Sequence, residues 1–366
     1  MNLAITTGTR PEIIKLYPVM RVLDSMCVNY KFIHTGQHYD YEMSAKFMEE
    51  FGLRKPDYNI ELSSSEPPIQ ISEIMQKLAF IFQEINASLV LVQGDTNSVL
   101  ASALAALKSN IPVAHIEAGL RNSDWRVPEE HNRRIVDTIS HVLFAPSAEA
   151  AQNLRNEHLP GDIYHVGNTV LDTVRLSFES ERTGAIIDKN CSEDGFVLVT
   201  LHRAENVDNP RIIRSILMAL SDSDLNFVYP IHPRTRKNIQ RFGLGKLLSP
   251  KIKIEKPAGY YDFLRLLRMC KYVITDSGGI LEEITSPFID KHALILRDST
   301  ERPESIKSGH ARLCPSLEYN AIIDAITNME SISGARRSTG LSSSPYGCGN
   351  SAEKIVEILK EKNLVS

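Results

Sequence analysis

The sequence predicts an α/β protein built from two parallel-sheet domains, and three observations lead there. Its 366 residues exceed what one hydrophobic core ordinarily organises and are comfortable for two. Short runs rich in β-branched residues alternate with longer amphipathic segments, the pattern of stacked strand–helix–strand units. The runs also fall into two sets, each large enough for one Rossmann-like, doubly wound sheet.

Taken in chain order, the first set of strand candidates is Leu3–Thr6, Lys31–His34, Leu89–Gln93, Val113–Ile116, Val142–Ala145 and Tyr164–Val166. The second is Phe196–Thr200, Phe227–Ile231, Ile252–Ile254, Tyr272–Thr275 and Ala293–Leu296. Helices such as Ser98–Lys108 and Ile212–Leu220 lie between strands. The turn cluster Gly167-Asn168-Thr169 separates the sets, so the expected domains are residues 1–169 and 170–350. A Ser/Pro/Gly stretch, Ser342 to Ser351, sets apart a last helix, Ala352–Lys362, and residues 351–366 are expected to pack back on the first domain.

Composition removes several function classes. Hydrophobic residues at 42% and charged residues at 23% are those of a soluble globular protein. Lysine and arginine number 41 against 45 acidic residues, a net −4, so no overall positive field exists to hold nucleic acid or an anionic membrane. Uncharged stretches such as Thr96–Leu107 are too short to cross a bilayer. The first residues read as a strand entering a turn, without the basic flank and cleavage pattern of a signal peptide. Cys27, Cys191, Cys270, Cys314 and Cys348 are odd in number, widely spaced and free of any CxxC pair. Neither structural zinc nor a disulfide framework is expected, and a reducing cytoplasm is the natural setting.

In open parallel sheets ligands bind beyond the carboxyl ends of the strands, so the residues following each strand carry most information. After the first comes Gly8-Thr9-Arg10-Pro11-Glu12 with Lys15 a turn later, placing Arg10 at a helix start where it could meet an anion or simply be solvated. No G-x-G-x-x-G stands there, so no dinucleotide cofactor is expected. Gly94-Asp95-Thr96 and Glu117-Ala118-Gly119 follow two further strands. Asp95 could be a mere helix N-cap, whereas Glu117 is a poor one. Glu129 and Glu130 open a helix whose dipole favours acidic residues, and Arg133 follows. Carboxylates converging from separate loops are raw material for acid/base work.

The second half offers cations and glycines instead. His202-Arg203 and His232-Pro233-Arg234 follow adjacent strands; a lone His there is usually structural, but two His/Arg clusters point to an anionic ligand. Thr275-Asp276-Ser277-Gly278-Gly279 runs from a strand into a helix, and its glycines let backbone N–H groups approach a phosphate. Glu283 lies one turn inside, suited to ribose hydroxyls, and Arg302 adds a cation after a later strand.

These stretches, in this order, resemble the UDP-N-acetylglucosamine 2-epimerases over nearly the whole chain. The resemblance is carried by Gly8 to Lys15, Thr35-Gly36-Gln37-His38, Gln93 to Thr96, His115 to Arg121, Pro128-Glu129-Glu130 with Asn132-Arg133, Val166 to Thr169, His202-Arg203 with Glu205-Asn206, the Ser277-Gly278-Gly279 turn, and Thr300 to Glu304. It implies the two-domain architecture of the B-type glycosyltransferases with the ligand in the interdomain cleft. It also implies reversible conversion of UDP-N-acetylglucosamine to UDP-N-acetylmannosamine, usually in a homodimer. Carried over residue by residue, Arg10, His202, Ser277, Gly278 and Gly279 would hold the diphosphate, and Glu283 the ribose. Phe263 would pack on the uracil and Arg302 complete the polar pocket, with His232 among the substrate contacts. Asp95, Glu117 and Glu129 would be the acid/base groups, with His202 counted beside them and Lys15 and Arg133 close by.

The Pro-Glu-Glu-x-Asn-Arg stretch keeps the non-hydrolysing form of the family. Two departures stand out. Tyr39-Asp40 replaces the Arg-Glu of bacterial members, so a second, regulatory substrate site is expected to be weak or absent, and Phe288 to His292 replaces a Gly-Lys-Pro loop. The implied chemistry is loss of UDP with removal of the carbon-2 proton, giving a 2-acetamidoglucal, then reprotonation from the other face. Three enzyme alternatives remain: the same reaction on another UDP sugar such as a 2,3-diacetamido glucuronate, a hydrolysing 2-epimerase, and a retaining glycosyltransferase. The fourth is a nucleotide-sugar sensor without turnover.

Overall fold

The computed structural model describes residues 2–37, 48–122, 124–180, 195–335 and 343–365. His38, Tyr39, Asp40 and Cys191, together with part of the Ser342–Ser351 stretch, lie outside the described residues. Two compact units emerge: Met1–Thr173 with Tyr346–Ser366, and Val174–Pro345.

The first unit is organised by a seven-stranded sheet in the order β3-β2-β1-β4-β5-β6-β7, every pair parallel. Its strands are β1 (Leu3–Thr7), β2 (Tyr30–His34), β3 (Tyr58–Asn59), β4 (Leu89–Gln93), β5 (Val113–Ile116), β6 (Val142–Ala145) and β7 (Asp162–His165). β1 and β4 to β6 are buried along their whole length, as strands covered by helices on both faces must be. The second unit repeats the plan with six strands ordered β10-β9-β8-β11-β12-β13. These are β8 (Val197–Thr200), β9 (Phe227–Pro230), β10 (Ile252–Glu255), β11 (Val273–Thr275), β12 (Ala293–Ile295) and β13 (Ala311–Leu313), again parallel throughout. Both are α/β sheets of the Rossmann-like kind. In each, strand order reverses beside the unit's first strand, between β1 and β4 and between β8 and β11. That reversal opens a crevice at the carboxyl ends of the two strands.

The edges are where the sequence reading was incomplete. β3 spans two residues and β13 three, too few to show a period. β3 exists because Ile33 pairs with Tyr58, and the Asp57 carboxylate accepts from the Phe32 N–H at 2.8 Å. β7 begins at Asp162 rather than Tyr164, since the ladder pairs Val142 with Asp162.

Helix starts follow local chemistry. Proline stands in the first helical positions of Arg10–Ser25, Pro67–Glu84, Pro128–Ile139, Pro210–Asp222 and Pro233–Arg241, where its missing N–H costs nothing. The last helix, Ser351–Glu361, belongs to the first unit. Buried Asp172 accepts from the Ser351 and Ala352 N–H groups at 3.2 and 2.9 Å, capping that helix from a segment 179 residues away. Gly167, at φ 96°, has no room for a Cβ, which would sit 2.7 Å from the Tyr346 carbonyl oxygen. We predict that Asp172→Ala lowers the unit's stability by about 1–3 kcal/mol and that Asp172→Asn, which keeps one acceptor, costs less. Chemical denaturation measures both; an unchanged midpoint would mean that the cap does not anchor the helix.

Candidate active-site residues and their family

The crevice of the first unit is lined by the turns after β1, β4 and β5. Gly8 lies so close to the helix Asn97–Lys108 that an added Cβ would stand 1.9 Å from Ser98 Oγ. The turn therefore passes directly beneath the one that follows β4. Glu12, buried just beyond it, accepts from the Gly8 N–H at 2.7 Å and from the Thr9 and Thr96 hydroxyls at 2.8 Å each, joining the two turns. Burial pushes the Glu12 carboxyl up to about 7, against the pull of these three donors and with a smaller push from Asp95.

Glu117 ends β5 in the left-handed region at φ 72°, a conformation that a residue with a side chain rarely adopts. It is held there because its own N–H and that of Ala118 both donate to the Phe144 carbonyl at 3.1 Å. The carboxylate is buried, takes the Lys15 ammonium at 2.5 Å on one oxygen and the Gln93 side-chain amide on the other. Gly94, at φ 87°, passes close enough that a Cβ there would be 3.9 Å from the same carboxylate.

Asp95 is not the N-cap of the following helix. Thr96 takes that place, its side chain accepting from the Val99 N–H at 3.3 Å. Asp95 is thereby released to meet Arg133, whose Nη2 and Nε approach one carboxylate oxygen at 2.5 and 3.2 Å. Asn132 donates to the Asp95 carbonyl at 2.9 Å. Arg133 also donates to Glu130 at 2.8 Å. The pair Glu129 and Glu130 thus divides. Glu130 is fully buried, paired with Arg133 and Arg134 and accepting from the Asn122 N–H, while Glu129 is exposed in the same first turn. Arg10 is exposed at the start of its helix.

In the second unit, buried Asp276 gathers the loop after β8. It accepts from the His202 N–H at 3.1 Å, the Arg203 N–H at 3.0 Å and the Asn206 side chain at 3.1 Å, and faces His202 Nδ1 at 3.2 Å. Burial works against its charge, yet His202 and these donors hold the carboxyl below the usual range. His232 caps the helix Pro233–Arg241 through Nδ1, which accepts from the Arg234 N–H at 3.2 Å. Its imidazole is held below the ordinary range by burial and then by the neighbouring charges of His202 and Arg234.

The glycine turn separates two tasks. A Cβ on Gly278 would lie 2.5 Å from Glu301 Oε1, so a side chain there would displace that carboxylate; a Cβ on Gly279 would meet no atom within 4 Å, which leaves that side of the turn open. Ser277 donates its N–H to Thr275 Oγ1 at 2.9 Å. Glu283 is buried and accepts from the Tyr260 hydroxyl at 2.9 Å, on the helix Tyr260–Met269 that also carries half-buried Phe263. Arg302 donates to Glu282 at 2.8 Å and stands 3.2 Å from Glu301. Glu301 is held down to about 2: burial opposes its charge, but Arg302, Arg297 and Arg203 outweigh it.

The structure thus brings Asp95, Glu117, Lys15 and Arg133 to one crevice, and His202, Ser277, Gly278 and Gly279 to the turns beside the other. Sequence reasoning missed Glu12, Gln93, Tyr260 and Glu301. Gln93 and Glu301 could have been found from their place at or just after a strand. Nothing local marks Glu12, whose partners lie on two different turns.

A protein-family model described as UDP-N-acetylglucosamine 2-epimerase matches residues 22–360. The chain belongs to the UDP-N-acetylglucosamine 2-epimerase family. It is 39% identical to the UDP-N-acetylglucosamine 2-epimerase of Methanocaldococcus jannaschii, over 98% of this chain and 99% of the relative. It is 36% identical to the UDP-2,3-diacetamido-2,3-dideoxy-D-glucuronate 2-epimerase of Pseudomonas aeruginosa, over 98% and 99%. The crystal structure of the M. jannaschii UDP-GlcNAc 2-epimerase in complex with UDP-GlcNAc and UDP superposes with a TM-score of 0.85 at 37% identity, covering 99% of this chain and all of that one. Among the described residues no group of His, Cys, Asp and Glu could hold a metal, and no helix is long and apolar enough to cross a membrane.

The position of Glu12 sets a pH dependence. Because its folded value, about 7, lies above the ordinary carboxylate value of 4.5, the protonated form favours folding below about pH 4.5, and that contribution is lost as pH rises to about 7. Glu12→Gln, neutral throughout, should therefore gain stability relative to the parent protein across this window. Thermal melts at several pH values test it; parallel profiles for the two proteins would refute it.

Proposed function

We propose that this protein interconverts UDP-N-acetylglucosamine and UDP-N-acetylmannosamine without net hydrolysis, as a cytoplasmic homodimer. The observation that carries the reading is Glu117, a strained, buried carboxylate at the mouth of a parallel sheet with Lys15 on one oxygen and Gln93 on the other. A group held in a sparsely populated backbone region is characteristic of functional sites. Family membership supports the substrate class, and the retained Pro128-Glu129-Glu130 with Asn132-Arg133 supports the non-hydrolysing form. Unpaired Cys27, Cys270, Cys314 and Cys348 suit a reducing compartment.

The hydrogen on carbon 2 is not flanked by a ketone, so its removal needs positive charge developing at carbon 1 as UDP departs. His202, Arg10 and the Ser277-Gly278-Gly279 turn would stabilise the departing UDP anion, the kind of preorganised electrostatics that lowers such barriers. Glu283 would take the ribose hydroxyls, Phe263 the uracil, and Arg302 and His232 the remaining polar contacts. One of Asp95, Glu117 and Glu129 would remove the carbon-2 proton, and another would return one to the opposite face of the 2-acetamidoglucal before UDP re-adds. Lys15 and Arg133 hold the Glu117 and Asp95 carboxylates in place.

A second reading is the same epimerisation on a UDP-2,3-diacetamido sugar acid, favoured by the likeness to the P. aeruginosa enzyme; a panel of UDP sugars separates the two. In deuterium oxide, UDP-N-acetylmannosamine formed from UDP-N-acetylglucosamine should carry deuterium at carbon 2 by proton NMR, and added NAD should change nothing. Product that retains its hydrogen would sink the elimination scheme. His202→Ala and Arg10→Ala should each weaken UDP binding by roughly ten- to a hundredfold, a loss of about 1.5–3 kcal/mol. Glu117→Gln should bind UDP almost unchanged and turn over nothing. Calorimetric titration distinguishes these; equal affinities in all three would mean that the roles are misassigned.

A further inference from the structure

The helix Pro128–Ile139 grips the turn that carries Asp95 from two sides. On one side Arg133 holds the Asp95 carboxylate. One helical turn further on, fully buried Asp137 faces His115 Nδ1 at 2.8 Å, and His115 Nε2 lies 2.8 Å from the carbonyl oxygen of Gly94, the residue directly before Asp95. The imidazole of His115 is thus held between the Asp137 carboxylate on one side and the Gly94 carbonyl on the other. The two grips are joined behind the helix. Glu130 links Arg133 to Arg134, and Glu157 links Arg134 to Arg121, with contacts between 2.6 and 2.9 Å. Arg121 then returns to Asp137 at 2.7 Å. Alternating charges form a closed circuit that starts on the Asp95 carboxylate and ends on the peptide bond preceding it.

Such a circuit does more than satisfy a buried histidine. Gly94 is at φ 87° and so supplies no side chain to fix its own plane. The peptide before Gly94 is held by its N–H, which donates to the Ile116 carbonyl at 3.1 Å, while the peptide between Gly94 and Asp95 is held at its carbonyl by His115. Rotation of that peptide would swing Asp95 away from Arg133 and carry Gly94 away from Glu117.

We infer that His115 is a positioning residue for the reaction, acting through the Gly94 carbonyl to set the angle at which Asp95 is presented, with Asp137 fixing the imidazole. The inference rests on the acid/base role proposed above for Asp95. A displacement on the order of 1 Å at a reacting group costs about a hundredfold in rate, which sets the expected size.

Two conservative variants separate positioning from packing. The amide nitrogen of a glutamine falls near Nε2, so His115→Gln keeps the bond to Gly94 and gives up Asp137. The nitrogen of an asparagine falls near Nδ1, so His115→Asn keeps Asp137 and gives up Gly94. Turnover, KM, UDP affinity by calorimetry and melting temperature are measured for both, beside Asp95→Asn. His115→Asn should lose about a hundredfold in kcat with KM and UDP affinity nearly unchanged, while His115→Gln stays within about tenfold of the parent. That order should hold even if His115→Gln melts lower. Equal losses in the two variants, or losses that follow melting temperature, would overturn the inference. So would parental kcat in His115→Asn while Asp95→Asn is inactive. Parental kcat in Asp95→Asn would instead remove the acid/base reading on which it stands.

Discussion

A carboxylate withdrawn from water into the mouth of a parallel sheet is stable only when a cation and further donors meet it, and Glu117 shows how much of the first unit serves that requirement. Its charge needs Lys15, which must come from the helix after β1. Its second oxygen needs Gln93, the last residue of β4. Its backbone must turn into the left-handed region, which costs on the order of 1–3 kcal/mol and is sustained by two N–H groups on the Phe144 carbonyl of β6. One side chain thus depends on four strands or their connections. Removing either partner would leave a buried charge unmet, which is far more costly than never having buried it.

Both sheets reverse strand order next to their first strand, yet the crevices carry opposite electrical character. In the first unit the turns present carboxylates with cations behind them: Lys15 behind Glu117 and Arg133 behind Asp95. In the second they present glycines, N–H groups and cations with carboxylates behind them: Asp276 behind His202, and Glu301 and Glu282 behind Arg302. The same topology therefore suits acid/base work in one case and anion binding in the other, because the outward-facing sign is chosen by a few side chains while the opposite sign is buried to hold them.

Several residues were ambiguous in the sequence for reasons that the structure makes plain. Asp95 and Thr96 are both good N-caps, and nothing local decides between them; Arg133, 38 residues away, draws Asp95 off and leaves the cap to Thr96. Glu129 and Glu130 are identical in type and adjacent, yet a step of about 100° along the helix sends one to solvent and the other between two arginines. His232 and His202 each have Nδ1 engaged within the unit, His232 by the Arg234 N–H and His202 by Asp276.

The sequence alone determined the α/β class, the central strands of both sheets and the turns that follow them, because those features rest on short-range periodicity, on glycines that tolerate close approach and on prolines at helix starts. The motif order was also enough to indicate the family. Tertiary structure decided the edges, since β3 and β13 are too short to show a period and are defined by their neighbours' ladders. It also decided the pairings between distant turns: that Lys15 belongs to Glu117 across 102 residues, that Glu12 joins two turns, and that Asp137 reaches Gly94 through His115. Ion pairs and hydrogen bonds between separate turns have no signature in local sequence, because their energy depends on distances that exist only once the sheet has brought the strand ends together.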